Sequence, residues 1–174
     1  MIISIHQPSF MPWMPYFEKI HQSDIFCILQ HCQFEKNGWT NRCKVNDKWW
    51  TNPVTKGKIP IKDKVYTNGT NLADVNISWI IAMCKMLGID TNKIVYDFPT
   101  DKKGTERLAE ICVKYNADKY LTNPDAVNKY LDKKVLDSYN IEIVPFISKN
   151  NKHVLEYFAE MGIEKTRKLL GGYD

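Results

Sequence analysis

The side chains best suited to chemistry lie near the start of the chain, in the run His6-Gln-Pro-Ser-Phe-Met-Pro-Trp-Met-Pro-Tyr16. His6 supplies an imidazole, a group that ordinarily titrates near neutrality and can take up or release a proton. Gln7 adds an amide, Ser9 a hydroxyl, and Trp13 and Tyr16 add amphipathic rings able to wall a pocket. Three prolines, Pro8, Pro12 and Pro15, reduce the entropy lost when such a loop is ordered. The segment therefore reads as a prearranged binding wall. The competing reading is a structural turn whose aromatics fill the core, and residue types alone leave both open.

A second polar segment runs from Gln30 to Lys44, through His31, Cys32, Gln33, Trp39, Asn41 and Arg42. Gln33 and Asn41 can hydrogen-bond a polar ligand, Trp39 can bound it, and Arg42 with Lys44 can neutralise a phosphate or carboxylate through charge-assisted bonds. His31 and Cys32 are expected beside His6, which invites a metal site or a Cys/His nucleophile. Structural zinc takes four protein ligands at recurring spacing, and a thiol nucleophile needs a base and an orienting partner that no spacing here supplies. The residues identify no metal site and no cofactor, and GxGxxG, GxxxxGK[ST] and GxSxG are all absent. His21 and His153 are expected on helix surfaces. Basic residues interleaved with aromatics from Trp39 to Trp50 make single-stranded nucleic acid a rival ligand. Glu35 and Asp47 interrupt that patch, however, and Trp49-Trp50 reads better as a hairpin packed on a sheet.

The elements that must position these loops alternate between strand and helix. Ile2 to Ile5 is a β-branched run broken by the prolines; Tyr16 to Gln22 suits a short helix, and Asp24 to Leu29 a buried strand. The two loops would then leave neighbouring parallel strands at the same sheet edge, where open parallel sheets bind ligands. Lys48 to Val54 and Lys58 to Tyr66, around Gly57, suggest a hairpin inserted into the main sheet over about residues 45–66. Trp79, Ile80, Met83, Cys84 and Leu87 recur at helical spacing, and Gly88 follows as a left-handed cap. Later strands are expected at Ile94 to Phe98, Tyr120 to Thr122 and Ile141 to Phe146. Helices are expected through Leu108 to Tyr115, from Asn123-Pro124-Asp125 through Leu131, from Val154 to Met161, and through Leu170 at the end. The fold class is thus α/β: a mostly parallel, Rossmann-like sheet with helices on both faces and an inserted β-hairpin, forming one domain over residues 1–174.

Bulk properties set outer limits. The chain has 174 residues, 44% of them hydrophobic, which is enough for one substantial core. A formal charge of +4, from 24 basic and 20 acidic residues, permits an anionic ligand without calling for nucleic acid. Five cysteines, none in a CxxC pair, read as reduced thiols, and no run approaches the roughly 20 apolar residues needed to span a bilayer. A cytoplasmic location without membrane insertion is expected, and oligomeric state is not fixed by the residues.

The order and spacing of His6-Gln-Pro-Ser-Phe-Met-Pro-Trp-Met-Pro-Tyr-Phe-Glu-Lys-Ile20, Asp24-Ile-Phe, Gln33-Phe and Trp39-Thr-Asn-Arg42 resembles the WbqC-like family. Leu87-Gly-Ile, Gly104-Thr-Glu-Arg-Leu108, Ala117-Asp-Lys-Tyr-Leu-Thr122, Tyr130-Leu-Asp132 and Met161-Gly-Ile-Glu-Lys-Thr166 are similar to its later blocks, so the resemblance spans nearly the whole chain. The sequence departs from the family pattern where Gln30 and His31 replace acidic residues, where Thr122-Asn123 replaces Ser-Gly, and in a shortened middle. The strand, Phe10-x-Pro12 loop, helix and strand are also similar in layout to HIGH-type nucleotidyltransferases, although the two histidines of that motif are missing between Trp13 and Phe17.

The WbqC-like resemblance implies a setting in the assembly of O-antigen and other surface polysaccharides. With the residues above, it leads to the expectation of a small transferase that adds an acyl or aminoacyl group to a free or nucleotide-linked sugar or amino-sugar. His6, Gln7 and Arg42 are the expected catalytic residues, His6 as general base. Ser9, Trp13, Tyr16, Gln33, Trp39, Asn41 and Lys44 are the expected substrate-binding ones. The expected partner is an anionic small molecule, with nucleic acid disfavoured. The alternative is a non-catalytic module that binds a sugar nucleotide or single-stranded nucleic acid.

Overall fold

The first strand sets the frame. In β1 (Ile2–His6) the side chains alternate, with Ile3 and Ile5 entering one hydrophobic layer while Ser4, on the opposite face, donates to the Leu121 carbonyl at 3.2 Å. The computed structural model describes residues 1–35, 37–55, 61 and 65–171. After β1 come α1 (Met14–Gln22), β2 (Ile25–Ile28), β3 (Arg42–Val45), β4 (Lys48–Thr51), β5 (Tyr66–Thr67) and β6 (Thr70–Asn71). Next are α2 (Leu72–Leu87), a single 3-10 turn, β7 (Ile94–Tyr96), α3 (Gly104–Lys114) and β8 (Lys119–Thr122). The chain finishes with α4 (Pro124–Lys129), α5 (Lys133–Ser138), β9 (Glu142–Pro145), α6 (Val154–Met161) and α7 (Ile163–Lys168).

Five strands pair in the order β7-β2-β1-β8-β9, and every pairing is parallel. Helices cover both faces, as an all-parallel sheet requires. On one face Phe26 and Ile28 of β2 pack with Phe17 and Ile20 of α1, Ile80 and Cys84 of α2, and Val154 and Tyr157 of α6. On the other, Ile3, Ile5 and Cys27 pack with Ala109, Ile111 and Cys112 of α3 and Leu136 of α5. The chain therefore winds outward from β1 along one face through α1 and α2, then returns through α3 to place β8 on the other side of β1. This reversal opens a crevice at the carboxyl ends of β1 and β8.

Local chemistry explains the boundaries around that crevice. Pro15 sits in the first turn of α1, where a missing N–H costs nothing, and Met14, Phe17 and Ile20 form its fully buried stripe. Asn71 caps α2 by accepting from the Ala73 amide at 3.0 Å, and Gly88 ends the helix at φ 73°, as its position after Leu87 suggested.

Three expectations change. Lys48 to Thr51 pairs antiparallel with Arg42–Val45, so the hairpin lies earlier and forms its own two-stranded sheet outside the parallel one. Its turn is Asn46-Asp47, with φ 48° and 60°, a conformation both residues tolerate better than most. Tyr66–Thr67 pairs with Thr70–Asn71 across Asn68-Gly69, and most of the anticipated strand from Lys58 to Tyr66 lies outside the described residues. Trp49 and Trp50 are 50% and 58% exposed instead of packed on the sheet. The helix that begins at Pro124 stops at Lys129, and a separate α5 follows, capped by Asp132 at the Lys134 amide.

Candidate functional site

A cavity of about 740 Å³ occupies the crevice. His6 at the end of β1, Asn123 just past β8 and Phe146 just past β9 contribute to its wall, together with the loop from Ser9 to Trp13. Asn123 stands at the start of α4 without capping it through its side chain, which leaves the amide for the cavity instead.

Three loops meet here because specific polar groups tie them together. Asn76, fully buried in α2, donates from Nδ2 to the carbonyls of Pro8 and Thr40, each at 2.7 Å. The Phe10 amide donates to the Trp39 carbonyl at 2.8 Å, so the loops after β1 and β2 run side by side. The loop after β9 joins through the Met14 amide, which donates to Lys152 O at 3.1 Å, and through His153. His153 Nε2 donates to the Met11 carbonyl at 2.6 Å while Nδ1 accepts from the Leu155 amide at 3.1 Å. Those two bonds fix a neutral tautomer, and burial lowers the ring's basicity further. Met11 is held at φ 40° just before Pro12, a strained position for an L-residue, and its carbonyl is the group His153 captures. His153 is 2% exposed, which corrects the expectation of a helix-surface histidine: it caps α6 and helps line the cavity.

His6 and Tyr16 share one orienting group. The Tyr16 hydroxyl donates to the Gln7 carbonyl at 3.0 Å, His6 Nδ1 lies 3.3 Å from the same oxygen, and the rings meet edge to face at 4.8 Å. A carbonyl only accepts, so this arrangement places the proton on Nδ1 and leaves Nε2 with its lone pair. Burial, reinforced by the nearby Lys19 charge, lowers the His6 pKa from 6.5 to about 3. The imidazole is thus neutral throughout the physiological range.

Above this floor the wall is aromatic. Trp13 and Trp39 lie nearly parallel, 6.2 Å between centroids and 8° between planes, and Trp49 continues the row 5.5 Å from Trp39. Trp13 and Trp39 are each about half exposed, at 49% and 55%, a large apolar area for a ligand to cover.

Of the residues singled out from sequence, His6, Ser9, Trp13, Tyr16, Trp39 and Lys44 line the cavity. Gln7 contributes its carbonyl, and its side chain is not in the wall. Asn41 is 8% exposed and donates to Asn52 O at 3.3 Å. Arg42 does not line the cavity; its guanidinium lies over the Trp49 ring at 4.2 Å. Gln33 is exposed, also away from the cavity wall.

His31 and Cys32 do not lie beside His6 in the cavity wall. His31 Nδ1 sits 3.1 Å from Asp97 Oδ1, Asp97 also accepts from the Gln30 amide at 2.6 Å, and Arg107 pairs with its other oxygen. A buried acid from the end of β7 therefore ties down the end of β2. The Cys32 thiol donates to Leu29 O at 3.1 Å, and burial with the Asp97 charge raises its pKa to about 12, the opposite of an activated nucleophile. Among the described residues no group of three or more His, Cys, Asp and Glu is placed to hold a metal ion.

Sequence reasoning missed Lys19, Asn123, Phe146 and His153. Lys19 lines the cavity yet is only 7% exposed, 5.2 Å from the Phe146 ring centroid, and burial lowers its pKa to about 8. Its neighbour Glu18 is fully buried and accepts from Ser148 Oγ and Asn150 Nδ2, anchoring the loop after β9. The available signal was a Glu-Lys pair inside a short apolar helix stripe, where solvated charges are not expected.

A parallel α/β sheet with a polar, aromatic-walled crevice at its strand-order reversal defines the general class. The chain belongs to the WbqC-like protein family, whose profile matches residues 7–68 and 57–157. It is also 27% identical over 216 aligned positions to a protein described as "Uncharacterized protein Rv1507c" from Mycobacterium tuberculosis (strain ATCC 25618 / H37Rv), covering 99% of this chain and 88% of that one. No solved structure matches the chain. No helix among the described residues is long and apolar enough to cross a membrane.

Proposed function

We propose that the protein is a transferase that places an acyl or aminoacyl group on an amine or hydroxyl of a sugar, free or nucleotide-linked, during surface-polysaccharide assembly. The observation that carries this reading is a neutral imidazole with a free Nε2 lone pair facing the same crevice as an aromatic wall. Broad, half-exposed indoles suit the apolar faces of sugar rings or a nucleobase, and a cavity of about 740 Å³ lies in the range used for small-molecule substrates.

In this mechanism His6 Nε2 accepts the proton of the acceptor amine or hydroxyl as its nitrogen or oxygen bonds to the donor's acyl carbon. The donor's leaving group departs with the bond's electron pair. Gln7 works through its carbonyl, orienting His6 and Tyr16; Arg42 steadies Trp49, and Asn41 steadies the hairpin through Asn52. Family membership supports the polysaccharide setting, and the cavity's position at the strand-order reversal supports a small-molecule ligand.

The test is to incubate the purified chain with nucleotide-linked amino-sugars and acyl or aminoacyl thioesters, following acceptor mass and the protein's melting temperature. A mass gain equal to the acyl group, with donor and acceptor each raising Tm, is the expected result. Stabilisation by sugar nucleotides alone, with no mass gain across the panel, would instead favour a binding module.

A further inference from the structure

We propose that Lys19 is the anchoring cation of the crevice, holding an oxyanion of the bound ligand, a phosphate or a carboxylate, in the wall it shares with His6. The charges around the cavity single it out. Lys44 pairs with Asp47 at 2.8 Å, Lys152 pairs with Glu160 at 2.6 Å, and Glu156 accepts from the Asn46 amide at 2.7 Å. These groups are at the rim, and each has a partner within the protein. Lys19 is 7% exposed and lines the cavity, and among the described residues its Nζ has neither a hydrogen bond nor an ion pair. The Nζ lies 5.2 Å from the centroid of the Phe146 ring.

An ammonium withdrawn from water without a counter-charge is costly, and a ring face returns only part of that cost. Glu18, adjacent in sequence, turns its carboxylate toward Ser148 and Asn150 and forms no ion pair with Lys19. A group this costly is stable in place only if the remainder of the molecule holds it, and it becomes useful when a ligand completes it. With a pKa of about 8, Lys19 is still largely protonated at neutral pH, as an anion anchor must be. Binding has a second effect. The Lys19 charge is one cause of the low basicity of His6, so an oxyanion that neutralises it makes Nε2 a stronger proton acceptor when substrate is present.

This inference deepens the transferase reading, since a nucleotide-linked sugar carries phosphate and an acidic sugar carries carboxylate, but it is decided by binding alone. The experiment is competitive trace acetylation of the full chain from pH 6 to 11, with peptide mass spectrometry reporting each lysine, in the presence of inorganic phosphate, acetate or N-acetylglucosamine. The expected result is a Lys19 midpoint near 8. Phosphate or acetate should slow Lys19 labelling at least tenfold and raise its midpoint, while leaving exposed Lys134 unchanged. Protection by phosphate alone identifies a phosphate site, and protection by acetate alone a carboxylate site. Equal protection by the neutral sugar, equal protection of Lys134, or no protection by either anion would overturn the proposal. Calorimetry with phosphate or acetate should also lose at least tenfold in affinity for Lys19→Met; unchanged affinity in the folded variant overturns it as well. If that variant fails to fold, the labelling of the wild-type chain still decides. A failed search for transfer leaves all these readings standing, so the two proposals fail separately.

Discussion

His6 is a histidine whose useful property is not the one its residue type suggests. The imidazole was legible in the sequence as the polar end of a proline-rich loop, but its ordinary titration near neutrality is displaced to about 3 by burial and by Lys19. That displacement has a sign. Between about pH 6.5 and 3 the unfolded chain binds the proton and the folded chain does not, so stability is lost as pH falls through this window. The full loss is roughly 4–5 kcal/mol. His6→Gln should remove that acid sensitivity, which urea denaturation at pH 7 and pH 4 would reveal as a smaller difference than in the wild type. The same variant should lower transfer turnover by about 10²–10⁴-fold if His6 is the proton acceptor. Lys19 behaves oppositely at the alkaline end. Its folded pKa of about 8 lies below the ordinary lysine value of 10.5, so stability should rise between pH 8 and 10.5, by about 3 kcal/mol, as the buried amine becomes neutral in the folded chain. Lys19→Met should abolish that rise in the same denaturation series. The apolar stripe around Glu18-Lys19 hints that the pair is buried, but its surroundings are not legible, because Phe146 beside the lysine and Ser148 and Asn150 at the glutamate come from the far end of β9 and beyond.

Elements hold the crevice by a few buried polar groups acting across long sequence distances. The strands of the parallel sheet were legible because β-branched runs such as Ile2 to Ile5 and Ile25 to Ile28 alternate with helical stripes. One strand of the hairpin is legible in the aromatic run Lys48 to Val54, but its partner Arg42–Val45 is not, because that pairing is set by the two residues of the Asn46-Asp47 turn, which accept positive φ. Asn76 was equally invisible, being one polar residue in the α2 stripe, yet it bridges Pro8 and Thr40. Asn76→Ala should leave two buried carbonyls without their donor and cost about 2–4 kcal/mol in denaturant unfolding, with the loops after β1 and β2 losing protection in hydrogen exchange. Asn76→Asp should be no better, since a carboxylate cannot donate to either carbonyl. On the opposite flank of the sheet, Asp97→Asn should cost about 3 kcal/mol by leaving Arg107 and the end of β2 without their acid, while leaving the crevice unaltered. Equal loss of ligand binding in that variant would show that the two regions are not separate.

For the molecule as a whole, the strand order β7-β2-β1-β8-β9 matters most, because the reversal beside β1 creates the crevice that the loops then line. A parallel sheet was readable from the alternation of elements, but the order of its strands was not, since pairing is decided by which helix covers which face. The conversion of three separate loops into one wall followed from that order and from His153, Asn76 and Glu18. The central claim is that this wall receives a sugar-bearing anion. The most direct test is the indole N–H spectrum of ¹⁵N-tryptophan-labelled protein, with five signals for five tryptophans, titrated with a nucleotide-linked amino-sugar. Saturable shifts largest at Trp13 and Trp39 are predicted; saturable binding that leaves both signals in place would contradict the account.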